Sequence, residues 1–178
     1  WTDIPGENDT TFVFTGNTVG SFYFRVQLRD DGLGCTPIVN SNPGSTIVVR
    51  ADATVSIAIT SGGPEVCTST SNVILTATVV GGSGSLIRTW QSSPTGQNVW
   101  TDIPGQNGTI YIVNTSSPSH FDYRVALTDP LPDCSDPISN VINVLVNADA
   151  AVSVSPAATP VCLGGNAPLT ATVTGGSS

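Results

Sequence analysis

Apolar positions across residues 51–147 alternate with Ser, Thr and Asn in short runs, and clusters of Gly, Pro, Ser and Asn separate the runs. That pattern predicts seven strands. The first covers 54–59. The second covers 73–80, puts Val73, Leu75, Ala77 and Val79 on one face, and ends at Gly81-Gly82-Ser83-Gly84. Residues 86–91 carry Trp90. Residues 98–103 carry Trp100 and end at Pro104-Gly105. A strand over 109–113 follows, then one over 121–128 with Tyr123, Val125 and Leu127 in alternation. Residues 140–146 close the set, with Val141, Asn143 and Leu145 on one face and Ile142, Val144 and Val146 on the other. No stretch of 11 or more residues has helical period. Seven short strands in about 97 residues, with turn signals every 8–12 residues, read as an antiparallel β-sandwich. Trp90 is the expected core residue. Tyr123 resembles a tyrosine-corner position, and Trp100 is expected to pack beneath its turn.

The pattern is written more than once. Trp1-Thr2-Asp3-Ile4-Pro5-Gly6 returns as Trp100-Thr101-Asp102-Ile103-Pro104-Gly105, an offset of 99. Phe22 and Arg25-Val26 return at the same offset as Phe121 and Arg124-Val125, and Cys35 as Cys134. Ala51-Asp52-Ala53 returns as Ala148-Asp149-Ala150 (offset 97), Cys67 as Cys162 (offset 95), and Leu75-Thr76-Ala77-Thr78-Val79 as Leu169-Thr170-Ala171-Thr172-Val173 (offset 94). The drift reads as small loop deletions in a constant unit. A period near 95–99 is domain-sized, too long for a solenoid repeat of about 20–45 residues. The expected organisation is therefore the second half of one repeat at 1–50, a complete repeat at 51–147, and the opening of a third at 148–178. The linker at 147–150 is too short for free tumbling, so the array should be a semi-stiff rod.

Composition narrows the function. Of 178 residues, 10% are charged, with 5 Lys+Arg, all Arg, against 13 Asp+Glu and a net charge of −8. That balance argues against nucleic acid and against an anionic membrane surface. No apolar run approaches the length of a transmembrane helix, and no basic-then-apolar leader opens the chain. The absence of Lys removes Schiff-base chemistry, lysine isopeptide crosslinks and a P-loop. With no Met, and with Trp1 inside a motif, the sequence reads as a stretch of a longer polypeptide.

The motifs also fall in a recognisable order. A Cys-x-Gly or Cys-x-Ser opening precedes Leu-Thr-Ala-Thr and a strand with Trp, then Trp-Thr-Asp-Ile-Pro-Gly and Tyr-Arg-Val. A Cys, Ser-Asn-Val and alternating Val follow. This resembles the Ig-like repeats of giant Bacteroidota surface proteins, including gliding-motility adhesins and other substrates of the type IX secretion system. The resemblance implies tandem Ig-like β-sandwich domains arranged as a rod, at the bacterial cell surface.

Two Cys recur in every repeat, which argues for paired structural cysteines in an oxidising compartment. A bond between Cys67 and Cys134 inside one domain is the preferred expectation, with Cys35 and Cys162 finding partners outside this sequence. In a simple Ig-like sandwich those two positions lie at opposite ends, so residues 60–72 would have to fold back along the sandwich. The alternative joins the bottom of one domain to the top of the next.

Other candidates are weaker. Asp129, Asp133 and Asp136 share one loop and are possible calcium ligands that would stiffen a rod, though solvated charge is the simpler reading. Asp102 and its twin Asp3 are expected to cap a turn. His120 is replaced by Ser21 in the preceding repeat, so a catalytic triad is not expected. Thr10, in Asp9-Thr10-Thr11, resembles an acceptor for Bacteroidota O-glycosylation. The expected function is thus a structural segment of a long extracellular fibre or adhesin stalk, not an enzyme, with no cofactor. Its partners would be neighbouring repeats or identical chains, with surface polysaccharide as a further possibility. The alternatives are a carbohydrate- or surface-binding module, for which Tyr111 and Phe12 are the candidate exposed aromatics, or accessory domains of a secreted enzyme.

Overall fold

The computed structural model describes residues 1–29, 38–44, 46–68, 72–131, 134–155 and 160–176, and no helix occurs among them. The chain divides into two compact units, Trp1–Ala51 and Asp52–Ser178.

The first unit holds β1 (Gly20–Phe22), β2 (Gln27–Arg29), β3 (Ile38–Asn40) and β4 (Ile47–Val49). β1 pairs antiparallel with β4, and β2 with β3. Phe14 stacks on Phe22 and Phe24, and Phe12 on Phe24, yet no described residue of this unit is fully buried.

The second unit holds β5 (Thr54–Ser61), β6 (Glu65–Cys67), β7 (Val73–Val80), β8 (Ile87–Pro94), β9 (Thr101–Asp102), β10 (Ile110–Val113), β11 (Ser119–Thr128), β12 (Ile142–Asn147), β13 (Ala151–Ser155) and β14 (Thr170–Thr174). A three-stranded sheet in the order β10-β7-β5 and a five-stranded sheet in the order β6-β12-β11-β8-β9 enclose one apolar core, as in a β-sandwich. The first sheet gives Ile57, Val73, Leu75, Ala77 and Val113. The second gives Trp90, Tyr123, Val125, Leu127, Val144 and Val146. Period-two alternation places these side chains inward on each strand.

Three local features depart from the pattern read in the sequence. Residues 98–103 form no continuous strand, because Asn98 adopts φ 55 and only Thr101–Asp102 pairs with β8; Asn tolerates this left-handed region better than most residues. Residues 60–72 contain β6, which crosses to the other sheet and runs parallel to β12. β8 reaches three residues further than its alternation suggested, to Pro94.

The sequence repeat is also a repeat of register. Gly20 faces Val49 and Phe22 faces Ile47, as their counterparts Ser119 and Phe121 face Val146 and Val144. Thr54 faces Val80 and Val55 faces Val79, as Ala151 and Val152 face Thr174 and Val173 in the β13–β14 hairpin. Burial does not repeat: Leu75 is 0% exposed and its twin Leu169 is 66% exposed.

A Ser-Asn pair ties the two sheets together. Ser139 Oγ accepts the Val125 N–H at 2.9 Å and the Ser139 N–H donates to the Val125 carbonyl at 2.9 Å. Asn140 Oδ1 accepts the Ile57 N–H at 2.8 Å, and its Nδ2 donates to the Ile57 carbonyl at 3.0 Å. Ser41 repeats the first half of this device on Val26 in the other unit.

The Gly-rich turn after β7 has a steric purpose. Gly82 has φ +80, and a Cβ there would lie 2.9 Å from Leu86 Cδ1 and 3.1 Å from Ala53 Cβ. Gly82→Ala should cost about 1–2 kcal/mol from the left-handed backbone alone, read as a lower urea midpoint at unchanged slope. The same change at Gly84, whose Cβ would meet nothing within 4 Å, separates the backbone cost from the clash.

Candidate functional site

The repeated Trp-Thr-Asp-Ile-Pro-Gly motif builds a clasp on the sandwich. Pro104 and Gly105 occupy the centre of a turn closed by the Gln106 N–H on the Ile103 carbonyl at 3.2 Å, with Gly105 at φ +73. Pro followed by a positive-φ Gly is the type II signature. The Arg124 guanidinium lies 4.1 Å from the centre of the Trp100 ring. Gln91 holds the arrangement from below: its Oε1 accepts from Arg124 Nε at 2.7 Å and its Nε2 donates to Asp102 Oδ1 at 2.7 Å. Asp102 therefore binds the Gln91 side chain, and Trp100 stacks against an arginine. The first unit repeats the stack, with Arg25 4.5 Å from the Trp1 ring. Trp100→Ala should cost about 1 kcal/mol, seen as a shifted denaturation midpoint. Arg124→Lys should lose a similar share, because lysine lacks the planar group that both stacks on the ring and reaches Gln91.

The two ends of the sandwich are where the chain arrives and leaves. At the arriving end, the buried Asp129 accepts the Ser83 N–H through Oδ2 at 2.9 Å and the Leu131 N–H through Oδ1 at 3.1 Å. Asp136 Oδ1 accepts the Asp129 N–H at 2.7 Å. The Ser135 N–H donates to Asp52 Oδ1 at 3.4 Å, which brings the loop that carries Cys134 to the residue entering the repeat. Asp129 and Asp136 thus spend carboxylate oxygens on backbone N–H groups. Asp133 lies outside the described residues. Among the described residues no group of three His, Cys, Asp or Glu is placed to hold a metal ion.

At the leaving end, β6 runs beside the end of β12 and pairs Cys67 with Asn147. The Thr68 N–H donates to the Asn147 carbonyl at 3.0 Å, and Asn147 Nδ2 donates to Glu65 Oε1 at 2.7 Å.

This arrangement separates Cys67 from Cys134. β11 runs from Ser119, beside Val146 at the leaving end, to Thr128 at the arriving end. Nine steps of strand span roughly 30 Å, far beyond the roughly 7 Å limit for disulfide-bonded Cα atoms. The expected Cys67–Cys134 bond is not formed, and no disulfide occurs among the described residues. The reason is β6: residues 60–68 do not fold back along the sandwich but continue towards the leaving end. Cys162 is exposed, and Cys35 lies outside the described residues.

The remaining candidates have local roles. His120 Nε2 donates to Asn143 Oδ1 at 2.9 Å, while Asn143 Nδ2 donates to Thr95 Oγ1 and Asp122 Oδ1 at 2.9 and 2.8 Å. That network anchors the turn after β8 and places no hydroxyl nucleophile on the imidazole. Tyr111 is half-buried between Trp90 and Tyr123, with ring centres 5.5 Å from each, so it belongs to the core. Burial pushes the Tyr123 phenol well above its ordinary range, keeping it neutral. Phe12 is exposed beside Phe24, and Thr10 lies at an exposed bend. No helix among the described residues is long and apolar enough to cross a membrane. The Ser-Asn tie and the arginine stack were not anticipated as sites, although Arg-Val and Ser-Asn were visible in the motif order.

A family model described as a domain of unknown function (DUF8696) matches residues 56–148, more than half of the chain, from within β5 to just past β12. No curated protein matches the chain.

Proposed function

The chain belongs to the DUF8696 family, and from that premise we propose that it is a structural segment of a long extracellular fibre or adhesin stalk at a bacterial cell surface, built from tandem Ig-like sandwiches. The observation that carries the reading is the junction. β12 ends at Asn147 and β13 begins at Ala151, and the register of β5 with β7 recurs in β13 with β14. Three residues between strands leave little freedom for one repeat to swing against the next.

Several features support it. Sheets of three and five strands, with Trp90 in the core and Tyr123 midway along the penultimate core strand, resemble the immunoglobulin sandwich. The repeated residues serve turns, stacks and sheet ties, as expected of a structural element under tension. Recurrent cysteines fit an oxidising, extracellular setting. The open apolar positions of β13 and β14 fit further strands of the same kind closing over them.

The test is small-angle X-ray scattering of the chain and of the chain extended by one and two copies of residues 51–147 inserted after Asn147. A rod predicts that the maximum dimension grows by an equal step, on the order of one strand length plus its loops, roughly 30–40 Å, per copy. Growth as the square root of copy number, the behaviour of flexibly linked beads, would reject it.

A further inference from the structure

We infer that consecutive repeats are covalently stapled, by a disulfide between Cys67 and the cysteine that the following repeat carries at the position of Cys134. The inference rests on the rod reading above. Its own support is the placement of the two cysteines about the linker. Cys67 pairs in register with Asn147, the last strand residue before the linker. Ser135, next to Cys134, donates its N–H to Asp52, the residue that enters the repeat. Asp149 is the repeat counterpart of Asp52 and lies two residues beyond Asn147. In the following repeat the same contact brings the cysteine-bearing loop to Asp149.

The two cysteine positions therefore flank one linker of a few residues from its two sides. Asn147 and Asp149 are at most about 7 Å apart along the chain, and neighbouring strands lie about 4.8 Å apart. Cysteines so placed can reach the roughly 4.4–6.8 Å between Cα atoms that a disulfide needs. Within one repeat, β11 holds the same two positions at opposite ends. The recurrence of each position once, Cys134 as Cys35 and Cys67 as Cys162, is what such a series of staples requires: one thiol facing forward and one facing back.

The chemistry balances as a two-electron oxidation. Cys67 and its partner lose two protons and two electrons and form one S–S bond. A disulfide oxidant accepts them by exchange; in the test, oxidised glutathione leaves as two reduced glutathiones.

The experiment takes the full chain and the chain with one extra copy of residues 51–147 after Asn147, both folded and equilibrated with oxidised and reduced glutathione. The 178-residue chain should keep all its thiols. The extended chain has six cysteines, four of the chain and two of the added copy, and should show four thiols; Cys67→Ser in its first copy should release the partner thiol and show five, while the same change in its second copy should leave the bond intact and show three. A Cys67–Cys134 linked peptide pair from the Cys162→Ser form of the 178-residue chain overturns the proposal, whether or not the extended chain folds. Full retention of thiols in a folded extended chain overturns it too. Scattering of these chains together with the two-copy extension keeps the two readings apart: retained thiols with equal growth steps reject the staple and leave the rod, whereas a formed staple with square-root growth keeps the staple and rejects the rod.

Discussion

Replacing Trp90 with alanine should remove about 3–5 kcal/mol of stability from the sandwich, the largest loss of any single substitution in this chain. Its side chain is 0% exposed and lies between the sheets, with Tyr111 stacked on it at 5.5 Å. The Trp90 indole Nε1 donates to the Gly108 carbonyl at 3.0 Å, and the backbone N–H of Trp90 to the Gln106 carbonyl at 3.2 Å. Alanine would leave a void against Val125, its register partner, and would orphan the Gly108 carbonyl. Domains of this size are typically stable by about 5–15 kcal/mol, so the loss is a large fraction of the whole. Trp90→Phe distinguishes the two contributions. It keeps most of the volume but drops the indole donor, and should cost about 1–2 kcal/mol. Urea denaturation followed by circular dichroism measures both. An alanine variant within 1 kcal/mol of the parent would mean that the two sheets are held mainly by something other than this core.

The core was legible because each of its strands repeats one simple rule. β7 covers the residues its alternation marks, and Val73, Leu75 and Ala77 point inward as read. Tyr123, Val125 and Leu127 on β11 and Val144 and Val146 on β12 obey the same period. β6 was not legible. It is three residues long, follows Gly62-Gly63-Pro64, buries only Val66, and finds its partner in β12, some eighty positions away. A strand that short has no period to read, and its direction decides where Cys67 goes. The cysteine pairing was therefore open in the sequence for want of one short strand. The arginine stack was hidden for a different reason. Trp100 and Arg124 come together only because β8 stands between β9 and β11. Each residue alone reads as turn or surface.

Asn140→Ala should cost about 2 kcal/mol, the second-largest loss, although Asn140 is itself an exposed residue. Surface polar substitutions away from special features usually stay within about 0.5 kcal/mol, so the size of the effect is the test. The reason is what the amide meets. β5 pairs with β7 on one side only, and its other edge turns the N–H and C=O of Ile57 outward. Ile57 is 5% exposed, and the Asn140 amide satisfies both groups at once while joining β5 to the segment that leads into β12. Asp at this position sharpens the argument. Asn140→Asp keeps an oxygen for the Ile57 N–H but sets a second carboxylate oxygen against the Ile57 carbonyl, where the neutral acid would instead donate a proton. The folded state therefore favours the protonated form, and the folded pKa of the new carboxyl rises above its unfolded value. Its destabilisation relative to the parent at the same pH should be greatest near pH 7 and should shrink as pH falls towards the ordinary carboxylate range near 4. Asn140→Ala, with nothing to titrate, should show no such recovery. Equal pH dependence in the two variants would mean that the second hydrogen bond, from Nδ2 to Ile57, contributes nothing to holding the sheets together.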